Sequence, residues 1–191
     1  MNQVTITKPI LLTDPFHIII QGCRDNDMQC QEQLYRHCYP DMIKICYRYA
    51  GDIDGAGIIY NNAMLRVFKY LHSYQEEGKL MGWIKTIVVN CSIDFVKQQD
   101  KFKEKPAADI EVYETDIPAK VFETVSAKEI QQLISQLPKA TATVFNLFVY
   151  EGFTHKQIAG ALKISEGTSK WHVNEARRLL KEKFQHLLTQ H

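Results

Sequence analysis

The chain has 191 residues, of which 45% are hydrophobic and 24% charged, with a formal net charge of +1. That balance suits a globular protein of one or two small domains. It contains no apolar run near the roughly 18–20 residues that span a bilayer and no long apolar leader segment, so a cytoplasmic location is expected.

The five cysteines (Cys23, Cys30, Cys38, Cys46 and Cys91) are odd in number and include no C-x-x-C pair. They read as reduced core thiols, not as zinc ligands or a disulfide set, and no metal or other cofactor is expected. Charge is distributed unevenly. From Thr154 onward seven Lys and Arg face three Glu, a net +4, whereas Gln98 to Val125 carries a net −3. A basic end behind an acidic connector points to a nucleic-acid contact at that end.

Hydrophobic periodicity predicts helices throughout, with little strand alternation. Asp14 and Pro15 read as cap and first residue of a short helix ending near Gly22. Asp25 is placed to cap a second helix ending at Pro40, and Pro40 to open a third closed by Gly51. A fourth runs from about Ile58 to Leu71, with Ile59, Met64, Leu65, Val67 and Phe68 mostly inward. After a polar loop, a fifth starting at Trp83 sets Ile84, Ile87, Val88, Cys91 and Phe95 on one face, with Asn90, Asp94 and Lys97 opposite. The pattern then breaks over a charged, proline-bearing stretch. It returns from Ser126 as a second bundle of about four helices. The expected class is all-α: two small helical bundles over residues 10–98 and 126–191, joined by a flexible linker over 99–125, the second bundle containing a helix-turn-helix.

The clearest local signal is "FTHKQIAGALKISEGTSKWHVNEARRLLKE", Phe153 to Glu182. Thr154 and Gln157 fit a capping box, and Ser165 fits the cap of the following helix. Ile158, Ala159, Leu162 and Ile164 face Val173, Ala176 and Leu180 across a short turn, the grammar of a helix-turn-helix. Lys170, Trp171, Asn174, Arg177 and Arg178 fall outside that core set. Lys170 and Asn174 suit base edges. Arg177, Arg178 and Lys181 suit phosphates, and Ser165 and Thr168 complete the candidate duplex contact at the start of the helix. There is no Gly-rich phosphate loop, no H-E-x-x-H and no nucleophile motif, so neither an enzyme nor a small-molecule substrate is expected.

"LPKATATVFNLFVYEGFTHKQIAGALKISEGTSKWHVNEARRLL" resembles region 4 of the extracytoplasmic-function (ECF) group of bacterial sigma factors. "LYRHCYPDMIKICYRYAGD", "AMLRVFKYLHSY" and "GKLMGWIKTIVVNCSIDFVK" resemble sigma region 2, most firmly through Trp83, Ile87, Asn90 and Asp94. The resemblance implies a protein that binds core RNA polymerase and promoter DNA, directs transcription initiation and answers to an anti-sigma factor. Region 4 would read the minus-thirty-five element as duplex, while region 2 would engage the minus-ten element and help part its strands. It implies a strand-capturing loop from Ser73 to Lys79, with Tyr70, Tyr74, Lys79, Trp83, Lys85, Asn90 and Lys97 on the region 2 contact. Asp52, Asp54, Asn61, Asn62 and Arg66 would form the polymerase contact. A linker of roughly 28 residues reaches about 90 Å when extended, enough for elements about two DNA turns (~70 Å) apart.

The sequence departs from the family where function would lie. "GAGIIYNN", Gly55 to Asn62, stands where the family carries an acidic cluster. Thr86 and Val89 replace frequent arginines, Glu175 occupies an often basic position, and Lys163 replaces a turn glycine. These departures keep a second reading open: a divergent sigma-like DNA-binding or protein-interaction regulator that no longer directs initiation.

Overall fold

A computed structural model describes residues 15–74, 79–99 and 127–188. Asp14, the middle of the expected capture loop and nearly all of the expected linker lie outside them. Every regular element among the described residues is helical.

α1 (Pro15–Arg24) runs past Gly22. α2 (Met28–Ala50) is capped by Asp27, not Asp25: the Asp27 carboxylate accepts the backbone N–H groups of Gln29 at 2.7 Å and Cys30 at 3.0 Å. Pro40 was expected to separate two helices, yet it lies inside this single one. Proline removes one backbone hydrogen bond from a helix. Here Leu34 and Cys38 before it and Met42 and Ile45 after it form one continuous buried stripe, so packing outweighs that loss. Gly51 closes α2 in the left-handed conformation, at φ 84°, as expected of a C-terminal glycine.

α3 (Ile53–Tyr70) begins well before Ile58, because Asp52 caps it by accepting the Gly55 N–H at 2.7 Å. A side chain at Gly55 would stand 3.0 Å from Ala50 Cβ and 3.1 Å from Phe95 Cζ, so glycine here permits the close approach of α3 to its neighbours. Ile59, Met64 and Val67 are buried as expected, but Leu65 points outward and is 67% exposed. A 3-10 turn (Leu71–Ser73) follows.

α4 (Leu80–Gln98) starts ahead of Trp83. Its Ile84, Val88 and Cys91 are buried, with Ile87 and Phe95 half-buried. Val89, Ser92, Ile93 and Val96 are buried too, because α4 is packed by α2 and α3 and also meets the second half of the chain. Cys23, Cys38, Cys46 and Cys91 are buried free thiols. Burial pushes the Cys23 and Cys38 thiols up to about 11 and Cys46 to about 12, leaving them protonated and poorly nucleophilic at neutral pH. No cluster of three His, Cys, Asp or Glu suited to a metal occurs among the described residues.

The second half comprises α5 (Ala127–Ser135), α6 (Lys139–Val149), α7 (His155–Leu162) and α8 (Glu166–Leu188). Leu133, Ile134, Leu137, Phe145, Leu180 and Phe184 form its own core. Val144, Leu147, Ile158, Leu162 and Val173 instead continue the apolar cluster of the first half. The two halves therefore touch, α6 against α2 and α7 against α4.

Candidate nucleic-acid interface

The helix-turn-helix is built by three local devices. At the start of α7, Thr154 Oγ1 accepts the Gln157 N–H at 3.2 Å while Gln157 Oε1 accepts the Thr154 N–H at 2.8 Å, the reciprocal capping box anticipated from T-x-x-Q. In the turn, Lys163 adopts φ 57°, ψ 45° and donates its N–H to Ala159. That conformation favours glycine, so Lys163 holds it at a strain that packing must offset. Ser165 then caps α8 by accepting the Thr168 N–H at 2.9 Å, and the two hydroxyls lie 2.8 Å apart.

Ile158, Leu162, Val173, Ala176 and Leu180 are buried as the spacing predicts, with Ala159 and Ile164 half-buried. Lys170 is exposed, and Asn174, Arg177 and Lys181 are partly so. Trp171 is half-buried with its ring edge-on to His172, 4.9 Å between centroids. Arg178 is exposed but occupied. Its Nε and Nη2 donate to the two Glu175 carboxylate oxygens, both at 2.8 Å, and Nη1 donates to Glu182 at 2.6 Å. The hydrogen bonds to Glu175 lead the causes that raise its pKa above the ordinary arginine value.

Four polar residues that periodicity did not single out fix the unit to its scaffold. His155 Nδ1 lies 3.0 Å from the buried Ser169 Oγ, with its ring stacked 4.7 Å from Phe148. His172 Nδ1 lies 3.0 Å from the buried Thr141 Oγ1 of α6. Ser169 and Thr141 occupy core slots that a search for apolar residues passes over. Their only sequence signal is polarity within an inward-facing register.

In the first half, Trp83, Asn90 and Lys97 share one face of α4 at seven-residue spacing, Asn90 being exposed and the other two half-buried. Tyr70 is exposed beside Lys69, whose ammonium lies 5.6 Å from the ring centroid, and Lys79 is exposed ahead of α4. Tyr74, expected in a polar loop, is 8% exposed. Its ring packs 5.2 Å from Trp83, and its carbonyl accepts Arg24 Nη2 at 2.8 Å. The reason lies in α1, which brings Arg24 under this turn. The capture loop's centre, residues 75–78, lies outside the described residues. Lys85 is half-buried, its ammonium 2.9 Å from Glu151 of the second half.

On α3, Asp52 and Asp54 are exposed at the helix start, with Asp52 engaged as the cap. Asn61 accepts the Tyr35 hydroxyl at 2.8 Å, Asn62 is exposed, and Arg66 Nη1 donates to Asp94 at 2.9 Å. That hydrogen bond is the leading cause of a raised Arg66 pKa. Between them Ile58 and Leu65 are 53% and 67% exposed. The face is apolar and amide-bearing instead of acidic.

Two helical units in series, the second a helix-turn-helix with an exposed basic edge, define a nucleic-acid-binding protein of the promoter-recognition type. Sigma-70 region 2 matches residues 34–102, and sigma-70 region 4 matches residues 127–180. The chain is 21% identical over 159 residues to the ECF RNA polymerase sigma factor SigE of Mycolicibacterium smegmatis, covering 81% of this chain and 62% of that protein. It is 26% identical over 161 residues to the ECF RNA polymerase sigma factor SigW of Bacillus subtilis, covering 78% of this chain and 86% of that one. It is also 21% identical over 181 residues to the RNA polymerase sigma-H factor of Pseudomonas aeruginosa, covering 89% and 94%. The chain thus spans less than two thirds of the SigE relative and most of the other two. It belongs to the sigma-70 family, in the ECF group.

Proposed function

We propose that the chain binds core RNA polymerase and directs promoter recognition and transcription initiation, dividing the work between its halves. The reading rests on one arrangement: both sigma-70 regions occur in a single chain, in order, the second with an intact helix-turn-helix. The role is one of binding, not catalysis. No helix among the described residues is long and apolar enough to cross a membrane, in keeping with a cytoplasmic site of action.

In this reading, α8 enters the major groove by its N-terminal part, where Lys170 and Asn174 meet base edges. Arg177 and Lys181 hold phosphates, and Arg178 joins them once it leaves Glu175 and Glu182. Tyr70, Lys79, Trp83, Asn90 and Lys97 serve the separated strand, for which an exposed aromatic and neighbouring cations are the suitable chemistry. Tyr74 acts indirectly, by supporting Trp83. An anti-sigma protein is the regulatory partner this reading anticipates.

The polymerase contact falls on α3. Asp52 and Asp54 supply its charge, and the exposed Ile58 and Leu65 supply apolar area that the family's acidic version would lack. That apolar face also favours the second reading, a sigma-like regulator whose α3 binds some other protein. The two are separated by capture of purified core polymerase at near-physiological salt. Asp52→Asn/Asp54→Asn is the appropriate charge-removing variant, because asparagine preserves the helix cap that alanine would lose. Retention that falls about tenfold in this variant, and in Ile58→Ser/Leu65→Ser, supports the polymerase contact. If the wild-type chain is not retained at all, the regulator reading replaces it.

A further inference from the structure

Among the described residues, three buried side-chain polar atoms have no hydrogen-bond partner: Arg48 Nε, Tyr49 Oη and Asn146 Oδ1. All three lie at the seam between the halves. Arg48 and Tyr49 sit near the end of α2, Asn146 faces them from α6, and Asn146 Nδ2 donates to the Arg48 carbonyl at 3.4 Å. Glu151 is held at the centre by the turn that follows α6. There its own N–H and that of Tyr150 both reach the Asn146 carbonyl, and Gly152 takes a left-handed φ of 69°. The Glu151 side chain is 3% exposed and accepts from two cations of the first half, Arg48 at 3.0 Å and Lys85 at 2.9 Å. The Arg48 guanidinium also lies 4.7 Å over the Tyr150 ring. Beside this cluster a cavity of about 370 Å³ opens between Ile43, Tyr47, Ile134 and Tyr150.

A permanent core satisfies its buried polar groups and fills its volume. This seam does neither, whereas no such orphaned atom occurs inside either half among the described residues. Separation would return water to Arg48, Tyr49, Asn146 and Glu151 at once. The attraction that opposes separation is concentrated in one carboxylate and two cations. A phosphate backbone offers those same cations an equivalent, charge-assisted partner.

We propose that the seam is a reversible latch: Glu151 holds the halves closed through Arg48 and Lys85, and DNA phosphate competing for those cations releases them. In the closed state Lys85, one of the region 2 DNA contacts suggested by family likeness, is already neutralised. Closure therefore weakens DNA binding by the free chain, and release of Glu151 exposes two further cations.

The test uses the full chain without polymerase, so its failure is distinct from failure of the functional reading. Small-angle scattering should give the wild type a radius of gyration near the ~16 Å of a compact chain of this length. Glu151→Arg, and separately Arg48→Gln, should raise it by several ångströms with far-UV helicity retained. The Arg48→Glu/Glu151→Arg double exchange should restore part of the compaction. Fluorescence anisotropy with a mixed-sequence DNA duplex should show Glu151→Gln binding about tenfold tighter than wild type, with a steeper salt dependence. A radius unchanged in both single variants, or duplex affinity within about twofold of wild type in Glu151→Gln, would overturn the latch.

Discussion

The His155 imidazole and the Ser169 hydroxyl, 3.0 Å apart, tie the first turn of α7 to the buried side of α8. Burial, followed by the nearby Lys170, lowers the His155 pKa from its ordinary value, with Arg177 adding to the effect and Glu166 opposing it. The unfolded chain therefore takes up this proton at a higher pH than the folded one. Stability from neutral His155 is full above the unfolded value of about 6.5 and is lost as pH falls through the folded value. Thermal unfolding at pH 7.5 and 5.5 should show a larger loss for wild type than for His155→Gln. Equal losses would mean that His155 does not titrate differently on folding.

Arg178 sits on the exposed edge of α8, but Glu175 and Glu182 occupy its guanidinium. Glu175→Gln/Glu182→Gln should free it to take up one more phosphate. The slope of log affinity against log salt for a duplex should then steepen by about 0.9. The same pair of changes in an Arg178→Ala background should leave the slope unaltered. Lys170→Ala should cost about 1–3 kcal/mol on the preferred sequence and relax discrimination there, whereas Arg177→Ala should weaken all sequences alike.

Two glycines in the same helix should respond in opposite directions. A Cβ at Gly55 meets Ala50 and Asp52 at 3.0 Å and Phe95 at 3.1 Å, whereas one at Gly57 meets nothing within 4 Å. Gly55→Ala should destabilise by about 1–3 kcal/mol through overpacking. Gly57→Ala should stabilise by up to about 1 kcal/mol through helix propensity. Thermal midpoints that shift in the same direction would contradict this account of α3.

At the turn between α7 and α8, Lys163→Gly should relieve the left-handed backbone and raise stability by roughly 0.5–1 kcal/mol, glycine's greater unfolded entropy limiting the gain. Chemical denaturation with an unchanged m-value would measure it directly.

Local chemistry was the readily legible part of the sequence. The T-x-x-Q box, the Ser165 cap, the glycine stop at Gly51 and the apolar spacing around Ile158 and Val173 depend on residues within a few positions of each other. Helix limits were less legible where distant packing competes with a local signal. Pro40 marks a boundary only until the stripe from Leu34 to Ile45 is seen to be buried. Likewise Gly55 weakens a helix only until Phe95 is seen to fill the space above it. Leu65 and Tyr74 were placed on the wrong side of the surface because periodicity tolerates an outward leucine and a polar loop conceals an inward tyrosine.

The sequence by itself determined the helical class, the order of the two units and the form of the helix-turn-helix, because periods, caps and motifs are short-range properties of the chain. Tertiary structure alone decided which charged groups are engaged. Arg66 is paired with Asp94 across two helices, and Glu151 takes Arg48 and Lys85 from residues far away in the chain. A charge pairs with whatever lies within a few ångströms in space, and separation along the chain does not encode that distance.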